Sequence, residues 1–158
     1  MNDTHKGRMT RDGIRIHDDA EFNGMRAAGR VAAEILDEIA EHVFPGQTTE
    51  ELDRLIGEKV IAKGTTSATI GYKGYQHASC ISINHVVCHG IPTERKQLKA
   101  GDIVNIDVTV IKDGYFGDTS KMFFVGKPAP FAERLVRVTR ECLFRGIDVV
   151  RPGARLGD

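Results

Sequence analysis

Apolar residues begin to recur at helical spacing only after residue 17. Met25, Ala28, Ala32, Ile35, Leu36, Ile39 and Val43 fall three or four apart and form one stripe, which Pro45-Gly46 ends. Asp18 or Asp19 is placed to cap this first helix. Thr48 followed three residues later by Glu51 is a capping-box pattern, and it opens a second helix with Leu52, Leu55, Ile56 and Val60 inward. Residues 1 to 17 carry no lasting period and read as a flexible lead-in, with room for a short strand at Ile14 to Ile16.

From Thr65 the chain turns to Gly, Tyr, Ser and β-branched residues, and strand-like runs fall at Ala78 to Ile83 and Val86 to His89. Ile103 to Lys112 alternates most clearly. Asp113-Gly114, a two-residue hairpin signal of type I′, joins it to a partner strand from Tyr115 to Val125. Pro128-Ala-Pro130 breaks the sheet, and Phe131, Leu135, Val138, Cys142, Ile147 and Val150 mark a third helix that stops at Pro152-Gly153. Helices before and after a mainly antiparallel sheet predict an α+β fold.

The two Pro-Gly stops are 152 − 45 = 107 residues apart, and that offset sets Arg30 on Arg137, Val31 on Val138, Glu34 on Glu141, Leu36 on Leu143 and Val43 on Val150. A true duplication and a chance match of two amphipathic helices are both consistent with this echo. Duplication would give one whole repeat, about 18–126, and the start of a second at 127–158.

With 22 basic against 22 acidic residues the net charge is zero and no basic block occurs, which argues against binding nucleic acid. Apolar runs such as Ile103 to Val110 are too short for a membrane span, and the polar N-terminus lacks the apolar stretch of a signal peptide. A cytoplasmic soluble protein is expected. Cys80, Cys88 and Cys142 match no disulfide scaffold and read as reduced thiols.

The candidate chemistry centres on Asp107 and Asp118. Counting back from the Asp113-Gly114 turn puts Asp118 opposite Thr109, so the two aspartates are diagonal neighbours on one face, with Cβ atoms within roughly 8 Å. A bulge would spoil the count. The other face of the first strand carries Val104, Ile106, Val108 and Val110 and belongs to the core. The acidic face is then either an ordinary solvated surface or, with Asn105 and Thr109 adding oxygen donors, a divalent-metal site. Cys80 to Cys88 lacks zinc-knuckle spacing, and Val86-Val87 set His85 and His89 in a strand, where they need not share a face. His89 reads either as a surface residue or, with Gly90 permitting close backbone approach, as an imidazole facing substrate. Tyr72 and Tyr75, interleaved with Gly71 and Gly74, either cover a core edge or wall an apolar pocket to which Cys80 adds a soft surface.

Ser82-Ile-Asn84, Val87-Cys88-His89-Gly90-Ile-Pro92, Gly101 to Val110 and Gly117-Asp118-Thr-Ser-Lys-Met122 together resemble the type I methionine aminopeptidases of bacteria, from about Met9 to the last residue, with 1–8 as an added extension. The resemblance implies the pita-bread fold, two similar halves about a pseudo-two-fold axis. It also implies removal of the initiator methionine from nascent polypeptides at the ribosome when the next residue is small. Two divalent ions (Co, Mn, Fe or Zn) are implied, one chelated by Asp107 and both bridged by Asp118, so that a shared water is activated against the scissile carbonyl. By the same resemblance His89 would hydrogen-bond the substrate and stabilise the tetrahedral intermediate, and Tyr72, Tyr75 and Cys80 would line the methionine pocket. Prolidases and creatinases share the fold, but the Val87 to Pro92 string with Tyr72 and Tyr75 points to methionine. Position 85 is His where the family commonly has an acidic or other polar residue, a tolerable change.

The family's remaining ligands, one His and two Glu, and its second substrate His belong to a second half beyond Asp158. The chain by itself is therefore expected to show little or no activity, with the missing half supplied by another chain if at all. The alternative is a non-catalytic pita-bread module that binds peptide or ribosome.

Overall fold

The computed structural model describes residues 8–158, so most of the extension expected at residues 1–8 lies outside it. A small hairpin comes first: β1 (Arg8–Met9) pairs antiparallel with β2 (Arg15–Ile16), the short strand expected near Ile14. Next comes α1 (Asp19–Ile39), closed by a capping box between Asp18 and Glu21. Its last turn tightens to a 3-10 turn at Ala40–His42, so Val43 lies past the helix but still packs on the core. The second helix, α2 (Thr49–Ala62), has the expected capping box of Thr48 and Glu51.

The sheet is wholly antiparallel. Central β5 (Ile103–Lys112) pairs along its whole length with β6 (Tyr115–Phe124). Along the other edge of β5, β3 (Thr66–Ser67) and β4 (Ser79–Ile83) lie end to end. Val104, Ile106, Val108 and Val110 are buried against Ala32, Ile35, Leu36 and Ile39 of α1 and Leu52, Ile56 and Val60 of α2. Gly117 of β6 allows α1 to lie this close, because a Cβ there would overlap the backbone of Ala28 and Gly29. With both helices on one face of the sheet, the face bearing Asp107 is left uncovered by them.

Two features depart from the sequence reading. Val86 to His89 form no strand: Asn84 turns the chain with φ 52°, and Val87 is 93% exposed. The tertiary turn overrides the β-propensity of two adjacent valines. The third helix, α3 (Pro130–Asp148), begins with proline in its first turn and ends just short of the predicted stop. Only Ala132 of α3 is buried. Its apolar arc, including Phe131 at 79% and Leu143 at 60% exposure, faces solvent. Among the described residues no helix is long and apolar enough to cross a membrane.

Candidate metal and peptide site

The Asp113-Gly114 turn has positive φ at both residues, 51° and 84°, as its type requires. From that turn the ladder runs without a bulge from Lys112 opposite Tyr115 to Ile103 opposite Phe124. The count made from sequence therefore holds: Asp118 faces Thr109, Asp107 faces Ser120, and the two carboxylates are diagonal neighbours on one side of the hairpin. Asp107 is half-buried and Asp118 exposed. Burial, and next the neighbouring Asp118 carboxylate, push the Asp107 carboxyl above the ordinary carboxylate range, while His89 opposes the rise.

On its other side Asp107 faces Cys80 of β4. The Cys80 thiol donates to the Tyr75 hydroxyl at 3.5 Å, and that hydroxyl donates to the Ser79 carbonyl at 2.8 Å. Burial raises both the Cys80 thiol and the Tyr75 phenol above their ordinary ranges, and in Tyr75 the adjoining thiol adds to the rise. Tyr72 is different. It sits in a short 3-10 turn (Tyr72–Gly74), 66% exposed, with the Lys73 ammonium 5.4 Å from its ring; its carbonyl accepts from the Tyr75 N–H at 3.0 Å, but among the described residues its side chain makes no hydrogen bond to Tyr75 or Cys80.

His89 is exposed and adopts a left-handed φ of 54°. The segment after Asn84 folds back along the outer edge of β4, where the Ile81 N–H donates to the Gly90 carbonyl at 2.8 Å and the Gly90 N–H donates to Ser82 Oγ at 3.1 Å. A Cβ at position 90 would strike the Ile81 carbonyl. Close approach at Gly90 thus serves the sheet edge, and His89 is carried beside the aspartates as a result. Asn84 fixes the start of this return: its amide donates to Asp102 Oδ1 at 2.8 Å and accepts from the Ile103 N–H at 3.1 Å.

The structure thus brings Asp107, Asp118, His89, Cys80 and Tyr75 to one region and leaves the Tyr72 ring exposed in the adjoining turn. Among the described residues, no three His, Cys, Asp or Glu side chains form a group able to hold a metal ion, so the aspartate pair is an incomplete donor set. A cavity of about 610 Å³ lies at the turn end of the hairpin, lined by residues including Arg15, Glu21 and Tyr115 and by none of Asp107, Asp118, His89, Cys80, Tyr75 and Tyr72. Sequence reading passed over Asp53, a buried carboxylate of α2 that binds the strand start beside Cys80. Its signal was its place on the apolar stripe, three residues before Ile56 and seven before Val60.

An α+β fold with paired aspartates on an antiparallel hairpin offers part of a divalent-metal site, and comparison with known proteins identifies the class as metallopeptidase. Residues 23–158 match the model of Metallopeptidase family M24, and the chain belongs to that family. It is 56% identical over 144 residues to the methionine aminopeptidase of Salmonella typhimurium, covering 90% of this chain and 54% of that protein. The crystal structure of methionine aminopeptidase from Rickettsia prowazekii superposes with a TM-score of 0.88 at 53% identity, covering 92% of this chain and 58% of that one. Prolidase from Pyrococcus furiosus shares the pita-bread fold at a TM-score of 0.76 and 19% identity. The chain spans little more than half the length of the methionine aminopeptidases it matches, and it matches their N-terminal portion.

Proposed function

We propose that the chain supplies the N-terminal half of the active site of a methionine aminopeptidase. The observation that carries this reading is the unbulged hairpin that sets Asp107 and Asp118 side by side, with Cys80 across from Asp107. The two carboxylates fit divalent cations: Asp107 is half-buried, lies next to a like charge, and has oxygen donors in Asn105 and Thr109 on the same face. Two divalent ions bound there would supply an activated water and a polarised peptide carbonyl. His89, held beside the pair, is suited to hydrogen-bond the peptide near its scissile bond. Tyr75 and Cys80 offer the aromatic and sulfur contacts that suit a thioether, and Tyr72 joins them if its loop closes over the side chain. The substrate is the N-terminus of a nascent polypeptide at the ribosome in the cytoplasm, with a small second residue.

The uncovered face of α3 and the part-length match support completion of the site by a segment equivalent to the C-terminal portion of the relatives. The test is a peptidase assay on Met-Gly-Met with Mn²⁺ or Co²⁺, using the chain alone and mixed with that C-terminal portion of the Rickettsia prowazekii enzyme. Turnover only in the mixture, abolished by Asp118→Ala, is expected. Peptide binding that is tight, insensitive to chelator and unaccompanied by turnover in the mixture would overturn the reading in favour of a binding module.

A further inference from the structure

Asp53 has no solvent to compensate its charge, being 7% exposed on the inner side of α2. Its Oδ1 accepts from the Ser79 N–H at 2.8 Å and the Ser79 hydroxyl at 2.6 Å, while its Oδ2 accepts from the Ala78 N–H at 3.3 Å and lies 3.2 Å from His77 Nδ1. Three donors from Ala78 and Ser79, with the His77 ring nitrogen beside them, converge on one carboxylate at the point where β4 begins. Charge-assisted hydrogen bonds of this kind are about twice as strong as neutral ones, and a buried carboxylate left without them is costly. The same short segment holds the side chains of the site. Ser79, clamped through its N–H and hydroxyl, presents its carbonyl to the Tyr75 hydroxyl, and that hydroxyl receives the Cys80 thiol. His77, clamped through Nδ1, meets the Tyr75 ring edge-on at 5.5 Å between centroids. The side-chain hydrogen bonds of Tyr75 and Cys80 therefore lead back to Asp53 through two and three contacts respectively, in addition to the backbone bonds of the Tyr75 loop and of the β4–β5 ladder.

We propose that Asp53 is a positioning residue that holds the Tyr75–Cys80 pair in place beside Asp107. The proposal rests on the aminopeptidase reading only in assigning that pair to the methionine pocket. The clamp itself can be tested without turnover. In the chain carrying Cys88→Ser and Cys142→Ser, Cys80 is the sole thiol, and its alkylation by iodoacetamide reports how tightly the pair is held. Asp53→Asn is expected to raise that rate about tenfold, and Ser79→Ala, a milder change that leaves the carboxylate in place, by a few-fold. Tyr75→Phe should raise it as well, and combining it with Asp53→Asn should add little, because both substitutions break one chain of contacts. Ultraviolet titration should show one tyrosine ionising closer to the ordinary range in Asp53→Asn. A rate within twofold of the parent for both Asp53→Asn and Ser79→Ala, or full additivity with Tyr75→Phe, would overturn the proposal. Failure of the aminopeptidase reading would show differently, as free L-methionine giving the parent no protection from alkylation while the rates above still followed the clamp.

Discussion

Cys80 and Asp107 face each other across the β4–β5 ladder, so the residue proposed to wall the methionine pocket and the first candidate metal ligand share one rung of the sheet. Any shift in that register would part the two functions, and five consecutive pairs from Ser79–Val108 to Ile83–Val104 hold it. In the proposed site, binding of the side chain and chemistry at the backbone would be coupled through rigid strands, which position groups more tightly than loops do.

The raised Asp107 carboxyl makes a stability prediction of definite sign. An acid with a raised folded-state pKa is favoured in its neutral form, so its contribution is full below the ordinary carboxylate value and is lost as pH rises through the raised one. Asp107→Asn should therefore raise the urea midpoint at about pH 7, and the gain should vanish near about pH 3. Equal midpoints at both pH values would contradict the cause assigned to the shift.

Like charge predicts a second effect. Asp118→Asn relieves the repulsion and should raise the melting temperature by up to about 2 °C without metal. Adding Mn²⁺ should stabilise the parent and leave the variant nearly unchanged. Calorimetry with and without the ion reads both.

Gly117 predicts a steric penalty. Ala at this position drives a methyl into the α1 backbone at Ala28 and Gly29, which cannot yield as a side chain can. Gly117→Ala should cost about 1–3 kcal/mol in urea unfolding. Gly24→Ala, whose added carbon has atoms of the Tyr115 ring, a side chain, as its nearest neighbours, should cost less.

The open face of α3 predicts a dissociation of stability from assembly. Leu135→Glu with Leu143→Glu should change the stability of the chain alone by no more than about 0.5 kcal/mol, because both side chains are already in water. The same pair should abolish turnover in the mixture with the C-terminal portion. Retained turnover would mean that α3 does not dock the partner.

Much of this was legible in the residues. The cap at Asp18, the Thr48–Glu51 capping box, the strict alternation of β5 and the Asp113-Gly114 turn are local signals, and a hairpin with a two-residue turn carries its own register, so the diagonal of Asp107 and Asp118 could be counted. The pairing of Cys80 with Asp107 could not. The connection from Asn84 to Asp102 is long and irregular, and its length imposes no register on β4. Val86 to His89 was misread because Asn84, whose amide locks the turn onto Asp102 and Ile103, outweighs local strand propensity. Asp53 stands on the apolar stripe of α2, but the donors that its burial depends on lie 24 to 26 positions away and leave no local signal.

The central claim, that one face of this hairpin is half of a metal centre, is tested most directly by Mn²⁺ titration of the labelled chain followed by paramagnetic broadening in amide NMR spectra. Two carboxylates without further ligands should bind in about the millimolar range, with broadening centred on Cys80, Asp107, Thr109 and Asp118 and lost in Asp118→Ala. Broadening centred elsewhere, or unchanged by Asp118→Ala, would contradict it.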